Sequence, residues 1–231
     1  MWLHNPRVQK LFGGSFVERL LFSTIVSLEM LQLRAHKKPE LLDRIRDMRS
    51  SCRSLTTANE SFLIESIASA QSRLDGAMAE VGCYEGGTTR MICEGKGTRP
   101  LHVFDTFEGL PELTGDERNT HVEHQYTASM EKVRKLLSGF PEVHLYKGLF
   151  PTTAGPIEDL KFSFVHFDVD LYQPTLDSLN FFYPRMLPGG IMLSHDYSVL
   201  AGVRRAFDEF MVDKPEGLIE LPTTQCMLIK R

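Results

Sequence analysis

Two short stretches concentrate side chains able to hold a cation or move a proton: Asp168-Val-Asp170 and His195-Asp196. Each follows an apolar run, Phe162 to Phe167 and Ile191 to Ser194, that reads as a buried strand. Neighbouring parallel strands bring their carboxyl ends together, which gathers these four side chains at one edge of a sheet. Three carboxylates and an imidazole repel or desolvate one another there unless a cation or substrate binds them. Oxygen ligands with one histidine suit Mg²⁺ or Mn²⁺. Plainer roles stand beside this one: Asp170 as the N-terminal acid of a following helix, and His195 as the group that orients Asp196. A further acid, Asp105, ends the run Leu101-His-Val-Phe104, about 25 residues after Glu80. A carboxylate so placed can take both hydroxyls of a ribose; its plainer role is to cap the turn Thr106-Phe-Glu-Gly.

The stretch from Ala77 to Arg90 supplies the complementary chemistry. Ala77 to Val81 is apolar except for Glu80, Gly82, Gly86 and Gly87 allow a tight turn, and a helix opens near Thr88. Strand, glycine turn and helix N-terminus together expose free N–H groups, making an anion-binding corner. The spacing Glu-x-Gly-x-x-x-Gly differs from the Gly-x-Gly-x-x-Gly of dinucleotide-binding folds. It resembles the first motif of class I S-adenosylmethionine-dependent methyltransferases.

The elements that must position these groups alternate. Thr57 with Glu60 three residues on predicts a capping box for a helix over 58–72. Strands follow at Ala77–Val81, Leu101–Phe104, Val143–Tyr146, Phe162–Phe167 and Ile191–Ser194, with helices over 128–137, 175–183 and 202–212. Pro188-Gly-Gly190 reads as a turn into the fifth strand, and Leu218–Leu221 with Cys226–Lys230 as an antiparallel pair at one edge. This is the pattern of an α/β fold, a mostly parallel sheet with helices on both faces. Residues 109 to 126 make a long polar segment of the kind that serves as a lid or binding loop; His121 and His124 are its substrate-contact candidates.

Ahead of this domain (53–231), residues 1–52 read as a helical appendage. Phe16, Leu20, Leu21, Ile25, Leu28 and Leu31 form an apolar stripe that needs cover, and a homodimer is the expected cover. The apolar stretch from Leu20 to Leu28 is too short to span a membrane. Arg7 and Lys10 precede it without a small-residue cleavage site following, which argues against a signal peptide. With 231 residues, 42% of them hydrophobic, a formal charge of −4 and no basic stripe, the chain fits a globular protein without a nucleic-acid partner. Four scattered cysteines without a C-x-x-C pair favour reduced thiols and a cytoplasmic setting.

Taken together, the chain resembles the macrocin O-methyltransferase family from residue 55 to about 230. The resemblance rests on Glu80-Val-Gly-Cys-Tyr-Glu-Gly-Gly, Phe104-Asp-Thr-Phe-Glu-Gly-Leu-Pro111, Lys147-Gly-Leu-Phe150, Asp168-Val-Asp-Leu-Tyr-Gln-Pro-Thr175, Tyr183-Pro-Arg-Met-Leu-Pro-Gly-Gly190 and His195-Asp-Tyr197. It implies a Rossmann-like class I methyltransferase fold, S-adenosylmethionine as methyl donor, Mg²⁺ (or Mn²⁺) assistance, and a sugar or glycoside hydroxyl as acceptor. By the same resemblance Glu80 meets the donor's amino group and Asp105 its ribose, with Gly82, Tyr84, Gly86, Thr88, Gly148 and Asp168 alongside. Asp168 and Asp196 are the implied metal ligands, and Asp168 the implied base. The family usually has two adjacent aspartates where this chain has His195-Asp196. Position 195 therefore enters as an imidazole ligand, or the site keeps two carboxylates and more water, or it has lost the metal. Two other readings stand beside this one. A nicotinamide-dependent oxidoreductase is opposed by the missing Gly-x-Gly-x-x-Gly. A non-catalytic nucleoside-binding or assembly protein is opposed by the joint presence of Asp105, Asp168 and Asp196.

Overall fold

The computed structural model describes residues 16–231, with residues 16–21 and Asp116 described by their backbone alone. Arg7 and Lys10, on which the signal-peptide expectation rests, lie outside the described residues. In chain order the elements are α1 (Phe16–Arg34), α2 (Pro39–Ser51), α3 (Ala58–Gln71), β1 (Ala77–Val81), α4 (Gly87–Gly95), β2 (Leu101–Asp105), α5 (Met130–Leu137), β3 (Val143–Lys147), β4 (Phe162–Phe167), α6 (Tyr172–Phe182), β5 (Met186–Ser194), α7 (Ala201–Phe210), β6 (Leu218–Glu220) and β7 (Cys226–Ile229). The strands form one sheet in the order β3-β2-β1-β4-β5-β7-β6. The first five are parallel; β7 runs antiparallel to β5, and β6 antiparallel to β7.

Strand alternation sends side chains to two separate cores. On one face Met78, Val103, Phe164 and Leu193 pack with Ile64, Met91 and Ile92 of α3 and α4. On the other, Ala79, Val81, Phe104, Val165 and Phe167 pack with Phe182 and Phe207 of α6 and α7. Because both faces are covered, β1 and β4 are buried along their whole length. The order reverses between β1 and β4, so the crevice beyond their carboxyl ends is the place for a ligand.

The antiparallel edge and the capping box form as expected: the Thr57 hydroxyl accepts from the Glu60 N–H while the Glu60 carboxylate accepts from the Thr57 N–H. Two boundaries differ. The expected turn at Pro188-Gly-Gly190 lies inside β5, where the pairing with β4 shifts register between Phe162 and Phe164. Pro188 has no N–H to donate, so the strand bulges there and resumes regular pairing at Ile191. Helix α6 starts three residues before the expected Thr175, because a distant carboxylate supplies its cap: Glu117 Oε1 accepts the Tyr172 N–H at 3.0 Å.

The N-terminal helices pack onto the domain. Val26, Leu33, Ile45 and Met48 join the core of the α3/α4 face, and Glu29 accepts the Asn59 N–H at the start of α3. Ile25, Leu28 and Leu31 remain outside that contact, 47%, 62% and 65% exposed. Of the expected stripe, the side chains of Phe16, Leu20 and Leu21 lie outside the described residues. No helix among the described residues is long and apolar enough to cross a membrane.

Candidate active site

A cavity of about 480 Å³ opens over the carboxyl ends of β1, β2, β4 and β5. One end is walled by Gly82, Tyr84, Thr88, Asp105 and Gly148, the other by Asp168, Asp170, His195 and Asp196. Phe22, Arg49 and Arg53 from the N-terminal helices and their connection, and Gly109, Leu110, Gln125 and Tyr126 from the long loop, roof the space between.

The glycine turn is shaped by close approach. Gly82 has φ +83°, and a Cβ there would overlap the Asp168 carbonyl oxygen, so only glycine lets β1 and β4 end side by side. Asp105 then fastens the turn. Its Oδ2 accepts the N–H groups of Cys83 and Tyr84 at 2.7 and 2.9 Å, and its Oδ1 accepts Phe107 N–H at 2.7 Å. A carboxylate has roughly four acceptor sites. Three of them are filled by the protein, so the carboxylate expected at the ribose is first a latch on the backbone.

Glu80 is the residue expected at the cofactor's amino group. It is fully buried behind the cavity wall, bonded to the Thr89 hydroxyl and, at 3.0 Å, to His166 Nδ1. Neither Glu80 nor Gly86 lines the cavity; Gly82, Tyr84, Thr88, Asp105, Gly148 and Asp168 do.

The acidic cluster is assembled as the strand order requires. Asp168, His195 and Asp196 each offer a ligand atom, all within 4.8 Å of one another. His195 Nδ1 lies 3.0 Å from Asp196 Oδ2 and 3.5 Å from Asp168 Oδ1. Its Nε2 points the other way, 3.4 Å from Glu60 Oε2, and is buried without a formed hydrogen bond. Two carboxylates and one imidazole, with a third carboxylate behind the imidazole, form a donor set that fits a divalent cation.

The electrostatics follow from this crowding. Burial alone would lower the His195 pKa, but Asp196, Asp168 and Glu60 together raise it well above its ordinary value. Burial would likewise raise the Glu60 carboxyl, yet His195, the Thr57 N–H and the Thr224 hydroxyl hold it down to about 2. Asp168 is pushed up to about 6, by burial first and by Asp196 against the pull of His195. Asp170, read from sequence as cluster member or helix acid, joins the cluster: burial and the charges of Asp196 and Asp168 raise it well above the usual range, and it bonds to Asp196. Its backbone sits at φ +60° and that of Asp196 at φ +59°, strained conformations for non-glycine residues that recur at functional sites.

In the long loop, a Cβ on Gly109 would overlap the His124 carbonyl, and Leu110 exchanges backbone bonds with His124 and Gln125. The loop's neck is thereby closed, and a 3₁₀ turn at Gly115–Asn119 carries Glu117 to α6. His124 is exposed and turns its Nδ1 to the Glu108 carbonyl. His121 is half-buried, and neither it nor His124 lines the cavity. Sequence reasoning missed Glu60 as the partner of His195 and Glu117 as the cap of α6. The capping-box motif was the only local signal for Glu60, and it pointed to a helix rather than to the site.

Comparison with known proteins places the chain in a family. The macrocin-O-methyltransferase (TylF) family matches residues 55–221. A relative from Streptomyces olivaceus, 8-demethyl-8-(2,3-dimethoxy-alpha-L-rhamnosyl)-tetracenomycin-C 4'-O-methyltransferase, is 27% identical over 140 residues, 54% of this chain and 54% of its own length. Mycinamicin III 3''-O-methyltransferase from Micromonospora griseorubida is 29% identical over 153 residues, 58% of this chain and 60% of its own. The chain thus spans a little over half the length of the curated relatives it matches. Among solved structures, the O-methyltransferase NovP superposes with a TM-score of 0.68 at 22% identity, covering 78% of this chain and 82% of its own. The O-methyltransferase from Bacillus cereus, solved in complex with SAH, superposes with a TM-score of 0.62 at 13% identity, covering 90% and 100%. By its sequence, then, the chain belongs to the macrocin O-methyltransferase family.

Proposed function

We propose that this chain transfers a methyl group from S-adenosylmethionine to a hydroxyl of a sugar or glycosylated natural product, with a divalent cation held by Asp168, His195 and Asp196. The observation that carries the reading is one cavity joining a glycine turn at one end to a cation-fitting acidic cluster at the other. Support for the acceptor class comes from a relative named for 4'-O-methylation of a rhamnosyl-tetracenomycin. The donor's sulfonium supplies an already activated methyl group, so the protein's task is alignment and deprotonation. Gly82, Tyr84, Thr88 and Gly148 bound the donor's end of the cavity, and the latch on Asp105 keeps that end in shape. A bound Mg²⁺ or Mn²⁺ supplies Lewis acidity that makes a sugar hydroxyl a stronger acid. Asp168, at the end of β4, is the proposed acceptor of the hydroxyl proton, and Asp170 lies beside it on the same cavity wall.

Two further assignments belong to this reading. A second copy of the chain covers Ile25, Leu28 and Leu31, which share the outer side of α1 at helical spacing. A cytoplasmic setting suits the four free thiols, Cys52, Cys83, Cys93 and Cys226.

Calorimetry with S-adenosylmethionine, followed by methyl transfer from labelled donor to a panel of glycosides with and without Mn²⁺, tests the proposal. D168N should bind the donor and transfer nothing. Binding of NAD⁺ in place of S-adenosylmethionine would reject it.

A further inference from the structure

We infer that Glu60 is a positioning residue for the cation site: from the first turn of α3 it holds His195 with Nε2–H toward itself, so that Nδ1, whose proton a bound cation would displace, faces the ligand space between Asp168 and Asp196. The inference rests on the metal reading proposed above. It adds a residue 135 positions away in sequence, from an element no strand-end argument reaches.

The geometry is specific. Glu60 is almost fully buried, and both of its oxygens have fixed partners: Oε2 accepts the Thr57 N–H at 2.8 Å, and Oε1 accepts the Thr224 hydroxyl at 3.0 Å. With the carboxylate tied to the start of α3 on one side and to the residues before β7 on the other, Oε2 is held 3.4 Å from His195 Nε2. That nitrogen is buried and has no other partner among the described residues, so a proton on it faces Glu60. The second nitrogen, Nδ1, is the one that faces both aspartates. A ligating histidine commonly donates its remote N–H to a carboxylate, which fixes ring and tautomer and makes the ligand more basic. Two adjacent aspartates would need no such partner; a histidine at this position does. An imidazole also softens the donor set, so Mn²⁺ gains over Mg²⁺.

The capping box accepts glutamine as readily as glutamate at its third position. E60Q therefore keeps the helix start while offering Nε2–H a weaker acceptor. Mn²⁺ binding is measured by calorimetry and by electron paramagnetic resonance on the full chain, for wild type, E60Q, H195A and E60Q/H195A, with urea unfolding as the fold control. Wild type should bind Mn²⁺, E60Q should bind it about 10–100-fold more weakly, and S-adenosylmethionine affinity should be unchanged. In the H195A background the E60Q change should alter Mn²⁺ affinity by no more than about twofold, because Glu60 acts through the imidazole. Equal Mn²⁺ affinity in E60Q and wild type would overturn the inference and leave the metal reading standing. So would an equal loss from E60Q with and without His195. A wild type that binds no Mn²⁺ would remove the metal reading and the inference together.

Discussion

Asp105 offers the sharpest quantitative test, because the structure gives it two roles that respond differently to one substitution. Asparagine has a single acceptor oxygen. Set toward the glycine turn, that oxygen keeps the Cys83 and Tyr84 N–H groups, but the amide nitrogen then faces the Phe107 N–H across 2.7 Å, donor against donor. Turned over, it satisfies Phe107 and opposes two N–H groups instead. The better orientation still loses one charge-assisted bond, worth about 1.5–3 kcal/mol, and weakens the other two by removing the charge. Water reaches this half-exposed site and recovers part of the loss, so D105N should cost about 2–3 kcal/mol of stability and D105A about 3–4 kcal/mol. Urea unfolding of the ligand-free protein measures this directly, with an unchanged m value showing that stability alone has moved. Donor affinity, read by calorimetry, should fall as well. A carboxylate devoted to the ribose would behave otherwise: ligand-free D105N would unfold at the wild-type urea concentration while affinity dropped. That outcome would refute the latch.

Four other outcomes are expected. G82A forces a Cβ into the Asp168 carbonyl at φ +83°, so it should abolish donor binding and lower the thermal midpoint, as calorimetry and a melting curve will show. K96M removes the fully buried ammonium that bridges the Arg99 and Pro141 carbonyls at 2.9 and 2.6 Å; denaturation should show a loss of about 2–3 kcal/mol. Burial would raise Glu216, but Lys230, Tyr183 and the Arg231 N–H hold it down to about 2 from an ordinary 4.5. Its contribution is therefore complete above pH 4.5 and lost as pH falls toward 2, and E216Q should flatten the acid limb of the stability profile across that window. L28D/L31D should convert a dimer to a monomer in light scattering; a wild type that is already monomeric at micromolar concentration would dismiss the second copy.

Much of this molecule is written in local patterns. The apolar runs ending at Asp105, Phe167 and Ser194 are strands, and Asp168 meets His195 and Asp196 because β4 and β5 are parallel neighbours. The antiparallel tail and the Thr57–Glu60 box are equally local. What stayed hidden is what distant segments supply. Nothing near Tyr172 announces that Glu117 caps its helix, and nothing near His195 announces Glu60. Glu80 likewise has partners its motif did not announce, Thr89 and His166. The proline in β5 misled for a related reason, since a missing N–H marks a turn and a bulge alike.

The attachment of Glu117 to the start of α6 divides the long loop into two arms. The first, 110–116, runs out from the neck to the pin, and the second, 118–125, returns. The arms are also tied to each other: Arg118 Nε donates to the Leu113 carbonyl at 2.9 Å, and Leu110 exchanges backbone bonds with His124 and Gln125. A change in one arm is therefore felt in the other, and both depend on Glu117 and the Gly109 neck. The returning arm carries Gln125 to the cavity and the outgoing arm carries Leu110 and Pro111, so the two arms shape that wall as one unit. An engineer reshaping it would exchange both arms together and leave the pin in place.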